Sequence, residues 1–141
     1  MASSRKRPNI ELFDAHDFPK VLYELLSERK TNEGISHKKM PSLDEHYKFV
    51  KSRPYKIWKI IICKNTDKCV GCVYLTNTNE IGVSIFKKHR RKGYAEEAMK
   101  VLITTVGHDV IYANINPKNK KSQAMVEKLG FKHIQNTYKL G

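Results

Sequence analysis

Cysteine is scarce in this 141-residue chain: Cys63, Cys69 and Cys72 are the whole set. An odd number of thiols argues against a disulfide framework, and the basic start Met1–Pro8, with no apolar segment behind it, is not read as a secretory signal. Cys69 and Cys72 form a C-x-x-C, yet no second pair is present to complete a zinc site. The stretch from Lys68 to Leu75 reads as a strand, so residues three apart should point to opposite faces, with both thiols acting as small buried hydrophobes. No apolar run approaches the roughly 20 residues of a membrane span. Neither an internal repeat nor a low-complexity linker divides the chain. Residues 1–8 are therefore read as a flexible basic tail, residues 9–141 as a single domain, and the protein as cytoplasmic.

Other absences narrow the chemistry. Neither G-x-x-x-x-G-K-S/T nor G-x-G-x-x-G occurs, so the two commonest nucleotide-phosphate loops are missing. No helix-turn-helix or RNP-like motif is present, and no set of metal ligands is expected. What is abundant is positive charge: 27 Lys and Arg against 14 Asp and Glu give a net charge of +13. Such an imbalance favours anionic partners, whether nucleic acid, a phosphate-rich nucleotide cofactor or anionic lipid, and part of it is a solvated face. The lysines are spread along the chain rather than interleaved with aromatics, which argues against nucleic acid. With 40% hydrophobic and 29% charged residues, the composition is that of a globular domain with one core.

Hydrophobic periodicity predicts the order β-α-α-β-β-β-α-β-α-β, a mixed α/β sheet with helices on its faces. Ile10 to Phe13 is a strand. Asp14 or Asp17 then caps a helix through Leu22, Leu25 and Leu26. Residues 30–41 are polar and read as a loop, and Ser42 opens a Ser-Leu-Asp-Glu capping box before a short helix. Ile57 to Ile62 and Val70 to Leu75 flank a turn at residues 65–68, and Ile81 to Phe86 is the next strand. A helix follows Gly93, with Ala95, Ala98, Met99, Leu102 and Val106 in one stripe. Val110 to Ile115 is a strand, Asn119 opens a last helix closed by Gly130, and Phe131 to Tyr138 returns as the final strand. The β-α-β step should be right-handed and parallel.

One segment stands out: Glu80-Ile-Gly-Val-Ser-Ile-Phe-Lys-Lys-His-Arg-Arg-Lys-Gly-Tyr-Ala-Glu-Glu-Ala98. A strand feeds a basic loop, and Gly93 sits where a helix begins. The first turn of a helix offers unpaired N–H groups at the positive end of its dipole, so it receives anions. Gly93 lets a phosphate approach the backbone, and Arg90, Arg91 and Lys92 add charge around it. Several converging N–H groups suit a pyrophosphate.

Arg90-x-x-Gly93-x-Ala95 resembles the Q/R-x-x-G-x-G/A motif with which the GNAT superfamily of N-acetyltransferases grips the pyrophosphate of coenzyme A. The run from Gly93 through Tyr94 and Ala95 to Ala98 is similar to the branch that includes the ribosomal-protein alanine acetyltransferases. Asn114-Ile-Asn-Pro-Lys-Asn119-Lys-Lys-Ser122, followed by Glu127-Lys-Leu-Gly-Phe131, resembles the later motif of the family, and the likeness spans residues 9–138. It implies the GNAT fold, acetyl-CoA as co-substrate, no metal, and direct attack of an unprotonated primary amine in a ternary complex. It implies that the fourth and fifth strands splay. Backbone groups of Val83, Ser84 and Ile85 would then pair with the pantetheine, and one N–H would polarise the thioester carbonyl. Asn119 would hold the pantetheine or the helix start. Family members commonly form homodimers.

The family's usual tyrosine acid is replaced by Val126 here. The branch resembled uses a serine in N-x-x-S, which makes Ser122 the expected proton donor to the departing thiolate, or else only a helix-start residue. Glu80, at the head of its strand, is the best-placed carboxylate for a base acting through water, or a solvated strand end. His89, beside the arginines, should have a lowered pKa and suits phosphate contact better than base work. His37 and His46 fall in the acceptor region but read as structural. Residues 16–58 should shape the acceptor pocket, with Tyr47, Phe49, Tyr55 and Trp58 as its aromatic candidates. The acceptor is left open among a protein N-terminus, an amino sugar, a polyamine and an aminoglycoside. Two other readings stand beside the enzyme: a nucleic-acid-binding module and an acyl-CoA sensor without turnover.

Overall fold

The computed structural model describes residues 8–32, 40–107 and 109–141. The basic tail (apart from Pro8), His37 and the part of the expected loop at 33–39 lie outside those residues. A β-branched run makes the interior strand β2, Ile57–Cys63. It pairs on one side with β1, Ile10–Asp14, and on the other with β3, Lys68–Leu75, both antiparallel. β4, Glu80–Ile85, pairs antiparallel with β3, and the two-residue β5, Tyr112–Ala113, lies parallel to β4. The sheet order is β1-β2-β3-β4-β5.

Alternation along β2 sorts the core into two layers. Ile61 and Cys63 face one side with Val70, Val73, Leu75 and Ile81. There the sheet is covered by the stripe Ala98, Met99 and Leu102 of α3, Tyr94–Val106. Trp58 and Ile60 face the other side with Cys72, against Leu22 and Leu25 of α1, Pro19–Asn32, and Val50 of α2, Leu43–Lys51. α4, Lys120–Lys128, sends Met125 and Val126 to the first layer. Val126, which stands at the family's tyrosine position, is thus a core contact.

The opposite-face expectation for Cys69 and Cys72 is corrected. A β-bulge shifts the β2–β3 register between Ile61 and Ile62, so Cys72 pairs with Ile60 and Cys69 with Ile62. One inserted residue resets the parity, and both thiols pack against the same cluster. All three cysteines are free thiols.

The helix starts follow capping chemistry, with two corrections. Asp14 accepts the His16 N–H and caps only the short 3-10 turn Ala15–Asp17, while α1 begins afresh with Pro19 in its first position. α1 also runs on to Asn32, past the expected helix end. The α2 box is complete: Ser42 Oγ accepts Glu45 N–H, and Glu45 Oε1 accepts Ser42 N–H. α4 closes on a Schellman pair, Gly130 N–H to Glu127 O and Phe131 N–H to Val126 O, with Gly130 at φ 102°.

The last two strands differ from expectation. Val110 to Ile115 forms a ladder only at Tyr112 and Ala113, and residues 131–138 form no strand. Ile134 and Tyr138 are 71% and 87% exposed. A strand needs a partner ladder, and the two residues of β5 supply almost none. Among the described residues, no helix is long and apolar enough to cross a membrane.

Candidate functional site

β4 and β5 share only the pairs Glu80–Tyr112 and Ile81–Ala113, and from Gly82 onward they separate. Phe86 N–H donates to Val70 O, and Thr76 N–H to Glu80 O. The even-numbered residues of β4 therefore turn their backbone groups to β3. Val83 and Ile85 turn theirs to the opposite edge, where β5 has ended. Ser84, whose backbone belongs to the β3 ladder, presents its side chain on the α1/α2 face. Of the three residues expected along a pantetheine arm, only Val83 and Ile85 offer main-chain groups to the gap.

The basic loop runs from the end of β4 to α3. His89 N–H and Arg90 N–H fold back on Phe86 O and Lys87 O, and the Arg90 guanidinium donates to Ile85 O at 3.1 Å. Arg91 and Gly93 both adopt positive φ, 65° and 85°, which turns the chain sharply into the helix. α3 has no side chain capping its start, and the first helical bond is Glu97 N–H to Gly93 O. The amides of Tyr94, Ala95 and Glu96 therefore stand open at the helix end, beside Arg91 and Lys92. Glu96, the acidic residue nearest them, is drawn to Lys100 and Lys128 at 3.3 and 3.2 Å, which ties α3 to α4.

Tyr94 contributes its amide rather than its ring to this end: its hydroxyl donates to the Cys63 sulfur. That bond, with further donors from Thr66 and Asn65, brings the Cys63 thiol down to about 7. The His89 pKa is lowered as expected, first by burial and then by Lys88, Lys92 and Lys68 rather than by the arginines. His89 lines a cleft of about 450 Å³ with Glu24, Glu28, Lys68 and Lys88.

Two further expected residues stand at the start of α4. Asn119 Oδ1 accepts the Ser122 N–H at 3.1 Å, so Asn119 is the N-cap and its side-chain oxygen is engaged in the helix. Ser122 sits in the first turn, half-buried. Glu80 is held at the head of β4 by the Thr78 hydroxyl at 3.0 Å and by the Asn114 side-chain amide. Strand parity puts it on the same face as Ser84.

On that face lies a cavity of about 390 Å³, walled by α1, α2 and the sheet. Phe49, Tyr55 and Trp58 line it, while Tyr47 does not and is 40% exposed. Tyr55 packs edge-on to Trp58 at 4.8 Å and stacks on Tyr74 at 4.6 Å, so the wall is one continuous aromatic row. His46 is buried there. Its Nε2 donates to Pro19 O at 3.0 Å, and burial lowers its pKa, which keeps the ring neutral with Nδ1 as the lone-pair nitrogen.

The family model for the GNAT acetyltransferase domain matches residues 7–132. The chain belongs to the GNAT acetyltransferase family. Its members transfer an acetyl group from acetyl-CoA to an amine, and this chain is an acetyl-CoA-dependent N-acetyltransferase of that family. The chain is similar in fold to an N-acetyltransferase from Staphylococcus aureus, at 17% identity and a TM-score of 0.74 over 90% of this chain and 86% of that one. A Salmonella typhimurium structure with its cofactor acetyl-CoA matches at 15% identity and a TM-score of 0.70, covering 89% and 80%. A ribosomal L7/L12 alpha-N-protein acetyltransferase in complex with coenzyme A matches at 19% and 0.70, covering 87% and 80%. No curated protein matches the chain.

The residues of this acetyltransferase fit a coenzyme A molecule in two independent respects. The edge that β5 leaves open at Val83 and at the Ile85 N–H, the Ile85 carbonyl being taken by Arg90, suits an amide-bearing arm, and the open amides after Gly93 suit a pyrophosphate. Sequence reading missed the lining supplied by the sheet: Cys72, Tyr74 and Ser84. The even-numbered parity of β3 and β4 was the one signal that could have found them.

Proposed function

We propose that the chain acetylates a primary amine seated in the aromatic cavity, with acetyl-CoA bound along the gap between β4 and β5. The observation that carries this is the main-chain edge left open by β5 at Val83 and the Ile85 N–H, next to the cavity wall at Ser84 and running on into the basic loop, where Arg90 holds the Ile85 carbonyl. Acetyl-CoA supplies the activated acyl group. Val83 N–H, or Ile85 N–H, would stabilise charge on a carbonyl oxygen drawn to that edge. Arg91, Lys92 and the amides of Tyr94 and Ala95 would hold the phosphates, and Arg90 would brace the loop. Ser122 Oγ would give a proton to the departing sulfur, and Glu80 would accept one from the amine through water. Asn119 would set the position of Ser122 through the helix cap. Direct attack with both substrates bound is favoured by the adjacency of cavity and gap.

Calorimetric titration with acetyl-CoA tests the site, with an Arg90→Ala/Gly93→Ala variant alongside. Micromolar binding that the variant loses is expected. Ser122→Ala should keep that binding and lose most of the thiol release with an accepted amine. Wild-type protein that does not bind acetyl-CoA would sink the proposal.

A further inference from the structure

We propose that the acceptor is a small primary amine with an apolar, aromatic body, held in the cavity between α1, α2 and the aromatic row, with its nitrogen towards Ser84. This rests on the acetyl-transfer reading above and narrows its acceptor. The cavity volume of about 390 Å³ sits at the lower end of the roughly 300–1,000 Å³ that ligand pockets span, which suits one small molecule. Its walls are Leu22, Leu25 and Leu26 on α1 and Phe49, Tyr55, Trp58 and Tyr74 opposite. The rings meet mostly edge-to-face, an arrangement that leaves aromatic surface for a flat guest.

The polar groups are few. Among the described residues Glu45 is the one carboxylate on the wall, and it already accepts the Ser42 amide in the α2 capping box. It cannot neutralise the second and third ammonium of a polyamine or an aminoglycoside, which the net charge of +13 would further repel. A sugar ring fares no better, because most of its hydroxyls would lose water against leucine and phenyl surface, with few polar groups on the described wall, Ser84 and His46 Nδ1 among them, to receive them. His46, held neutral with Nδ1 unprotonated, does not repel an incoming amine. Ser84, on β4, marks the end nearest the Val83 and Ile85 edge.

The experiment reads occupancy separately from turnover. Trp58 is the single tryptophan of the chain and lines the cavity, so its emission reports binding there. Phenethylamine is the probe, with spermidine, glucosamine and a short peptide as comparators, on the intact chain. Expected is a saturable change of Trp58 emission with phenethylamine, together with thiol release when acetyl-CoA is present. The comparators should be at least about tenfold weaker. Phe49→Ala should weaken phenethylamine about tenfold, equivalent to about 1.4 kcal/mol, with Phe49→Leu recovering part of it and acetyl-CoA affinity unchanged in both. If acetyl-CoA binds but spermidine, glucosamine or the peptide outcompetes phenethylamine in emission and thiol release, the apolar acceptor is wrong and the acetyltransferase reading survives. If acetyl-CoA does not bind, both fall.

Discussion

Tyr94 donates its phenolic O–H to the Cys63 sulfur at 3.3 Å, joining the first residue of α3 to the last of β2. The bond is the largest cause of the depressed Cys63 pKa, and the same coupling raises that of Tyr94. Tyr94→Phe should therefore move the Cys63 titration from about 7 back towards the ordinary thiol value of 9.0. Thiolate absorbance against pH, in a Cys69→Ser/Cys72→Ala background, measures it. Because the folded value lies below the unfolded one, the thiolate's stabilisation is present above pH 9.0 and is lost as pH falls through about 7. Stability should rise across that window in the wild type and rise less in the variant. An unmoved titration would assign the shift to Thr66 and Asn65 instead.

Gly93 has a backbone reason and a ligand reason to lack a side chain, and Gly93→Ala separates them. At φ 85° an L-residue loses roughly 1–2 kcal/mol. The added Cβ would lie 3.5 Å from the Pro8 ring, an ordinary contact, so the strain is conformational rather than steric. Thermal unfolding should show that modest loss. Acetyl-CoA affinity should fall by more than the fold does, about tenfold or beyond, because the methyl group sits where phosphate meets the open amides. A loss confined to stability would mean that no phosphate approaches this residue.

Local chemistry was readable in the chain, and long-range register was not. Ser42 with Glu45, Gly93 before α3 and Gly130 after α4 each act within four residues, so their caps could be read directly. The faces of Cys69 and Cys72 could not, because the bulge beside Val70 exists only through the pairing of β3 with β2. The cavity was half legible for the same reason. Phe49, Tyr55 and Trp58 lie in the region expected to meet the acceptor, whereas Tyr74 and Ser84 arrive through the sheet. Phe131 to Tyr138 reads as a returning strand by its place after the last helix, but a place in the order does not supply the neighbouring ladder that a strand needs.

His46 gives the protein an acid-sensitive joint between α1 and α2. Burial lowers its pKa below the ordinary 6.5, against the opposing pull of its bond to Pro19 O; the Tyr23 ring lies 5.2 Å away, and Glu45 beside it is the only acid on that cavity wall among the described residues. The unfolded chain then takes up the proton first, so stability is full above pH 6.5 and falls as pH drops towards the folded value. His46→Gln keeps a donor for Pro19 O and removes the titration. Denaturant unfolding between about pH 7 and pH 5 should show a shallower loss in the variant. Parallel curves would assign the acid sensitivity to other groups, His89 first among them, since burial lowers its pKa as well.

Glu80 has two contacts that a structural role alone would explain: the Thr78 hydroxyl at 3.0 Å and the Asn114 amide beyond β5. Glu80→Gln distinguishes tie from base. Its carbonyl oxygen can accept from Asn114 and its amide can donate to Thr78, so the tie is kept while the proton-accepting carboxylate is removed. If Glu80 accepts the amine's proton, kcat should fall about 100-fold, with unfolding temperature and acetyl-CoA affinity unchanged. Asn114→Ala makes the opposite cut. It removes one donor from a carboxylate that stays, costing about 1 kcal/mol in stability while most turnover is kept. Full activity in Glu80→Gln, with stability lost only in Asn114→Ala, would make Glu80 the clasp between β4 and β5 and leave proton removal to water or to another side chain of the cavity.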